Sequence, residues 1–216
     1  MVNLKSKPRN KVVIGITGGI ACGKSTFTRA LAGCLNAKLV LDADKIGHQV
    51  LKDAGIKNKL CRVFGKGIFN AQHEVDRKKL GVMVFGDQVQ RSKLEAVVHP
   101  WIIKRIAESV RKFRKSRGDA RSGAAAIVDA TLIFEVGMEK MFDIIIVVKA
   151  PQGVQVERII SRDSNGKMTK VMALKKIHAQ MRLGVKVKRA DIVVDGVKPV
   201  YPQAVKVAAK INLLYS

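Results

Sequence analysis

The chain has 216 residues, 47% of them hydrophobic, which suffices to bury one α/β core and excludes a large multidomain protein. Its 41 Lys and Arg against 17 Asp and Glu give a net charge of +24, which predicts polyanionic company. No apolar run approaches the roughly 20 residues of a membrane span, so a soluble protein with no membrane partner is expected.

The first ten residues form a basic tail without the apolar core of a secretory signal or a convincing amphipathic pattern. Cys22, Cys34 and Cys61 are scattered, which argues for a reducing compartment and against a disulfide framework or metal cluster. A cytoplasmic location is expected, with the mitochondrion left open.

A β-branched strand is predicted over 11 to 17, and positions 14 to 26 read IGITGGIACGKST. Gly18, Gly23, Lys24 and Ser25 fill the fixed positions of a phosphate-binding P-loop, and a good helix former follows at once. Glycines let backbone N–H groups curl around phosphate oxygens, and the helix N-terminus adds partial positive charge. Gly18, Gly19, Ile20, Ala21, Cys22, Gly23, Lys24, Ser25 and Thr26 are therefore expected to bind ATP phosphates, with Lys24 on the β- and γ-phosphates and Ser25 on Mg²⁺. Cys22 has two readings: a thiolate stabilised by Lys24 and the helix N-terminus, or a small inert side chain packed beneath the loop.

A second strand is predicted over 38 to 41, and LDAD follows it. Carboxylates at the carboxyl end of a strand reach the ligand crevice of a doubly wound sheet. One there can accept a proton from an attacking hydroxyl, or Asp42 or Asp44 can cap a helix. From about 45 to 123 helical periodicity and turn signals prevail, read as an inserted helical substrate lobe. Residues 104 to 121 carry eight basic side chains, and SRGDARSGAAA at 116 to 126 reads as a flexible loop.

Further strands are predicted over 124 to 129, 143 to 149 and 190 to 195. Asp129 ends the first of these, either as a Mg²⁺ partner through water or as a turn residue. Pro151, Pro199 and Pro202 suit first turns of helices. Between 167 and 189 lie eight basic residues and no acid, read as a lid or a solvated helix face. The pattern as a whole is α/β: a P-loop kinase fold with about five parallel strands flanked by helices, in a single domain over 11 to 210. Aromatic residues are only 5%, so nucleic acid is expected as a non-specific partner at most.

Taken together, ITGGIACGKST, DADKI at 42 to 46, EVDRKKLGVMVFGD at 74 to 87, LEAVVHPWI at 94 to 102, LIFE at 132 to 135 and VERIISRD at 156 to 163 resemble the dephospho-CoA kinase family over nearly the whole chain. The resemblance implies ATP- and Mg²⁺-dependent phosphorylation of the ribose 3′-hydroxyl of dephospho-CoA. It implies Asp44, Lys24 and Arg162 as catalytic, Asp44 as the base, and Arg162 on a lid of about 158 to 189, one turn after Arg158. It places Thr17, Asp44, Arg77, His99, Leu132 and Glu135 on the substrate side. The chain departs from the family pattern at Cys22, at Thr131 in place of proline and at Gly196 in place of asparagine. The alternatives are a P-loop kinase for a nucleoside or nucleotide, and a nucleic-acid-binding protein on a kinase-like fold.

Overall fold

The computed structural model describes residues 11 to 84, 87 to 116, 124 to 164 and 166 to 215. The basic tail and residues 117 to 123 of the expected flexible loop lie outside them, as does Gly86 of an expected turn. The five apolar runs form β1 (Lys11–Gly18), β2 (Leu39–Asp42), β3 (Ala124–Asp129), β4 (Ile144–Lys149) and β5 (Ile192–Asp195). They pair in the order β2-β3-β1-β4-β5, a parallel sheet with β1 at its centre. Ile14 stands opposite Ile127 on β3 and Ile144 on β4. Val13 and Ile14 point to opposite faces of β1 and both are buried, which is why the central strands are continuously apolar rather than alternating.

The last strand begins two residues later than its apolar pattern suggests. The Asp191 carboxylate turns back to accept the Ile145 N–H at 2.7 Å, so Asp191 closes the end of β4 rather than extending β5. On one face of the sheet, α1 (Lys24–Cys34) packs Phe27 and Leu31 against Val207, Ala208 and Ile211 of α9 (Val200–Tyr215). Pro151 caps α6 (Gln152–Ser161), and Pro202 lies in the first turn of α9, where a missing N–H costs nothing.

The chain divides into two compact units, one of Asp42–Ser109 and one formed by the chain on either side of it. The Asp42–Ser109 unit holds α2 (Ala43–Val50), α3 (Ala54–Phe64), α4 (Arg77–Val84) and most of α5 (Gln88–Lys115). Val50, Ile56, Leu60, Phe64, Ile68 and Leu80 make its core. Asp42 and Asp53 cap α2 and α3 by accepting the N–H groups of Lys45 and Ile56, each at 3.0 Å. α5 continues through Pro100. Among the described residues no helix is long and apolar enough to cross a membrane.

Candidate active site

The phosphate loop leaves β1 at Gly18, where an added Cβ would stand 2.2 Å from the Val148 carbonyl oxygen on β4. Ile20 and Ala21 then pack against Val156 and Ile159 of α6 and Ala173 of α7 (Lys170–His178). The Ile20 N–H donates to Gln180 Oε1 at 3.0 Å. At the start of α1, Lys24 is half-buried while Ser25 and Thr26 are exposed. First-turn N–H groups have no acceptor inside their own helix, so this terminus presents donors and a positive dipole end to an anion.

The loop is braced from behind. Arg158 on α6 donates to the carbonyls of Ala21 at 3.2 Å and Gly196 at 2.9 Å, joining the phosphate loop to the turn after β5. That turn passes so close that a Cβ on Gly196 would lie 1.8 Å from the Cys22 carbonyl oxygen. The glycine that replaces the asparagine of the resembled family is thus required by this backbone. Asp129 ends β3 as a buried residue and accepts from the Thr28 hydroxyl of α1 at 3.3 Å, so it is a strand-end residue tied to the loop's helix rather than a turn residue. Ser25 and Asp129 offer hard oxygen donors of the kind Mg²⁺ takes, one or two from protein and the rest from phosphate and water.

A second network starts at Thr17, also fully buried. Its hydroxyl donates to the Thr131 carbonyl at 2.8 Å, and that carbonyl also accepts from Lys186 Nζ at 2.7 Å. Lys186, on α8 (Leu183–Lys188), forms an ion pair with Glu135 at 2.7 Å. Glu135 Oε1 accepts the Met181 N–H at 3.2 Å as well. Burial pushes the Lys186 ammonium below the usual lysine range; Glu135 opposes this, and the positive charge of Lys24 adds to it. Leu132 sits half-buried in the same turn as Thr131 and Glu135.

In the Asp42–Ser109 unit, Asp42 is the helix cap, which leaves Asp44 exposed in the first turn of α2 with its carboxylate not used as a cap. His48 lies one turn further along α2, and its Nε2 meets Arg77 at 2.8 Å. A guanidinium only donates, so Nε2 is the acceptor and the ring proton resides on Nδ1. His99 is half-buried on α5 immediately before Pro100. Arg162 is exposed at the C-cap of α6 in the other unit.

Two readings left open by the sequence are narrowed. Cys22 is 1% exposed, and burial pushes its thiol above the ordinary range despite Lys24, Arg158 and backbone hydrogen bonds, so the inert packing reading holds and the thiolate reading does not. Within the basic run from 167 to 189, Lys186 is wholly buried, so that side chain is not part of a solvated face. Sequence reasoning gave no role to Lys186 or His48 and understated Arg158. Arg158 carried a signal in its one-turn spacing from Arg162; Lys186 carried none, since its partner lies 51 positions away in sequence (186 − 135).

A central β1 that runs through a glycine-bounded loop into α1 and its free N–H groups, within a five-stranded parallel sheet, defines a P-loop kinase fold. A family model described as dephospho-CoA kinase matches residues 12–199, and the chain belongs to that family. The chain is 38% identical to a Bacillus licheniformis dephospho-CoA kinase, covering 85% of this chain and 87% of that one, and 34% identical to one from Fusobacterium nucleatum, covering 85% and 89%. Among solved structures it is similar to TT1252 from Thermus thermophilus, with a TM-score of 0.73 and 26% identity over 95% of this chain and 99% of that one. It is also similar to a dephospho-CoA kinase from Campylobacter jejuni, with a TM-score of 0.56 and 26% identity over 94% and 96%.

Proposed function

We infer that this protein transfers the γ-phosphoryl group of ATP to the ribose 3′-hydroxyl of dephospho-CoA, giving coenzyme A and ADP. The observation that carries this is the family match over 12–199. Asp44 takes the proton of the attacking hydroxyl, whose oxygen bonds to the γ-phosphorus as the bond to the β–γ bridging oxygen breaks and ADP leaves. That Asp42 rather than Asp44 caps α2 supports this role. Lys24 and the α1 N-terminus hold the phosphates before the reaction, where preorganised charge lowers the barrier most. Arg162 closes on the transferring group from the lid of about 158 to 189. Mg²⁺, when bound at Ser25, neutralises charge on the β- and γ-phosphates.

Thr17, Arg77, His99, Leu132 and Glu135 serve the acceptor, with the helical lobe of about 45 to 123 receiving the CoA portion. The working compartment is the cytoplasm. The surplus of Lys and Arg allows only salt-sensitive, sequence-independent contact with nucleic acid.

A panel of acceptors with ATP and Mg²⁺, scored by ADP release and product mass, tests the reading. Dephospho-CoA should gain one phosphoryl group and free nucleosides none. Phosphorylation of adenosine or cytidine in its place would overturn the assignment.

A further inference from the structure

Lys186 belongs to no recognised motif, yet among the described residues it is the only buried lysine. Its ammonium holds Glu135 Oε1 and the Thr131 carbonyl, each at 2.7 Å. The same carbonyl receives the Thr17 hydroxyl, and the same carboxylate oxygen receives the Met181 N–H. One charge therefore gathers the end of β1, the turn at 131 to 135 and the segment leading into α8. Burial of an ion pair is poor evidence of a stabilising device, because a well-packed apolar pair of similar volume is commonly as stable or more so. What an ion pair supplies and an apolar pair does not is fixed orientation of a carboxylate. Glu135 Oε2 is buried and has no donor among the described residues, so that carboxylate has one oxygen tied down and one remaining acceptor.

We propose that Lys186 is a positioning residue for the acceptor substrate. It holds Glu135 and the Thr131 turn so that Glu135 Oε2 accepts from a donor N–H or O–H of dephospho-CoA beside the Thr17 end of β1. Lys24 acts on ATP phosphates; Lys186 acts on the acceptor, through Glu135. The inference rests on the assignment of Thr17 and Glu135 to the acceptor side.

Steady-state kinetics with each substrate varied in turn separates this role from a structural one. Lys186→Met should raise KM for dephospho-CoA by about tenfold or more and leave KM for ATP within about threefold, since losing a partner of a charged hydrogen bond is felt where that bond orients the ligand. Thermal melting checks folding. Should Lys186→Met not fold, Lys186→Gln keeps a donor for Thr131 while removing the charge and should show the same split. Unchanged KM for dephospho-CoA, a proportional rise in both KM values, or failure of both variants to fold overturns the proposal. Glu135→Gln distinguishes the two levels: a wild-type acceptor KM in that variant removes the acceptor assignment itself. An impaired Glu135→Gln beside an unimpaired Lys186→Met removes the proposal alone.

Discussion

Around the phosphate loop the functional groups are held by partners on several elements: Gly18 against β4, Ala21 and Gly196 by Arg158, Ile20 by Gln180, Thr17 by the Thr131 carbonyl. In the Asp42–Ser109 unit Asp44 is exposed, and Arg77 meets a single exposed histidine. Under the roles proposed for these residues, the contrast matches the two tasks. A phosphate cradle accelerates transfer only if its dipoles are in place before charge develops, so it is built into the backbone and braced. Side chains that engage a large flexible acceptor can be ordered by the acceptor itself, through binding energy from its remote parts.

The hardest test of this contrast is Lys24→Ala. It removes the motif's side-chain charge and leaves the braced backbone, so kcat should fall by about 10³-fold or more while Tm stays within about 2 °C. Steady-state kinetics and a melting curve measure both. Retained turnover would mean that the backbone cradle suffices without the lysine. Next in size is Asp44→Asn, for which kcat should fall about 10²-fold with the apparent affinity for ATP nearly unchanged. Since Asp42 caps α2, no loss of stability should accompany it. An unchanged kcat would reassign Asp44 to the surface.

The same contrast explains how far the residues could be read in advance. The strands, the phosphate loop and its helix were legible because their signals are local: a continuous apolar run, glycines at fixed spacing, a helix former directly after Ser25. Pro151 announced the start of α6 for the same reason. The Lys186–Glu135 pair, the Arg158 brace and the Gly196–Cys22 contact join residues far apart in sequence, and nothing local marks a lysine as buried. Composition is silent at one point, since a run of eight basic residues gives no sign that one of them, Lys186, is buried. His48 escaped because a lone histidine on a helix face has no spacing signature, although it stands one turn from Asp44.

Gly196→Ala sharpens the claim that the loop is braced by backbone contact. Its Cβ would lie 1.8 Å from the Cys22 carbonyl oxygen, so the turn or the loop must shift. Overpacking of this kind costs about 1 to 3 kcal/mol. For a chain of this size, Tm should fall by roughly 2 °C or more. Because the displaced atom belongs to the phosphate loop, KM for ATP should rise more than KM for dephospho-CoA. A variant with wild-type Tm and wild-type KM for ATP would show that the contact yields without disturbing the cradle.

The smallest expected effect is an absence of reactivity at Cys22. Lys24 and Arg158 favour its thiolate, but burial outweighs them and raises the thiol above its ordinary range. The thiolate fraction at neutral pH therefore falls below that of an ordinary thiol, and the sulfur is inaccessible as well. The raised value also fixes a sign for stability. The folded protein holds this proton more tightly than the unfolded chain, so the contribution is complete below the ordinary thiol range and is lost as pH rises through the raised folded value. Alkylation of the folded protein at pH 7, followed by peptide mass spectrometry, should modify the half-buried Cys34 and Cys61 first. Cys22 should react only as fast as the protein opens, with the rate rising in alkaline buffer as that proton's contribution is lost. Rapid labelling of Cys22 at pH 7 that ATP slows would place the sulfur at the phosphates and undo the view of a loop packed shut from behind.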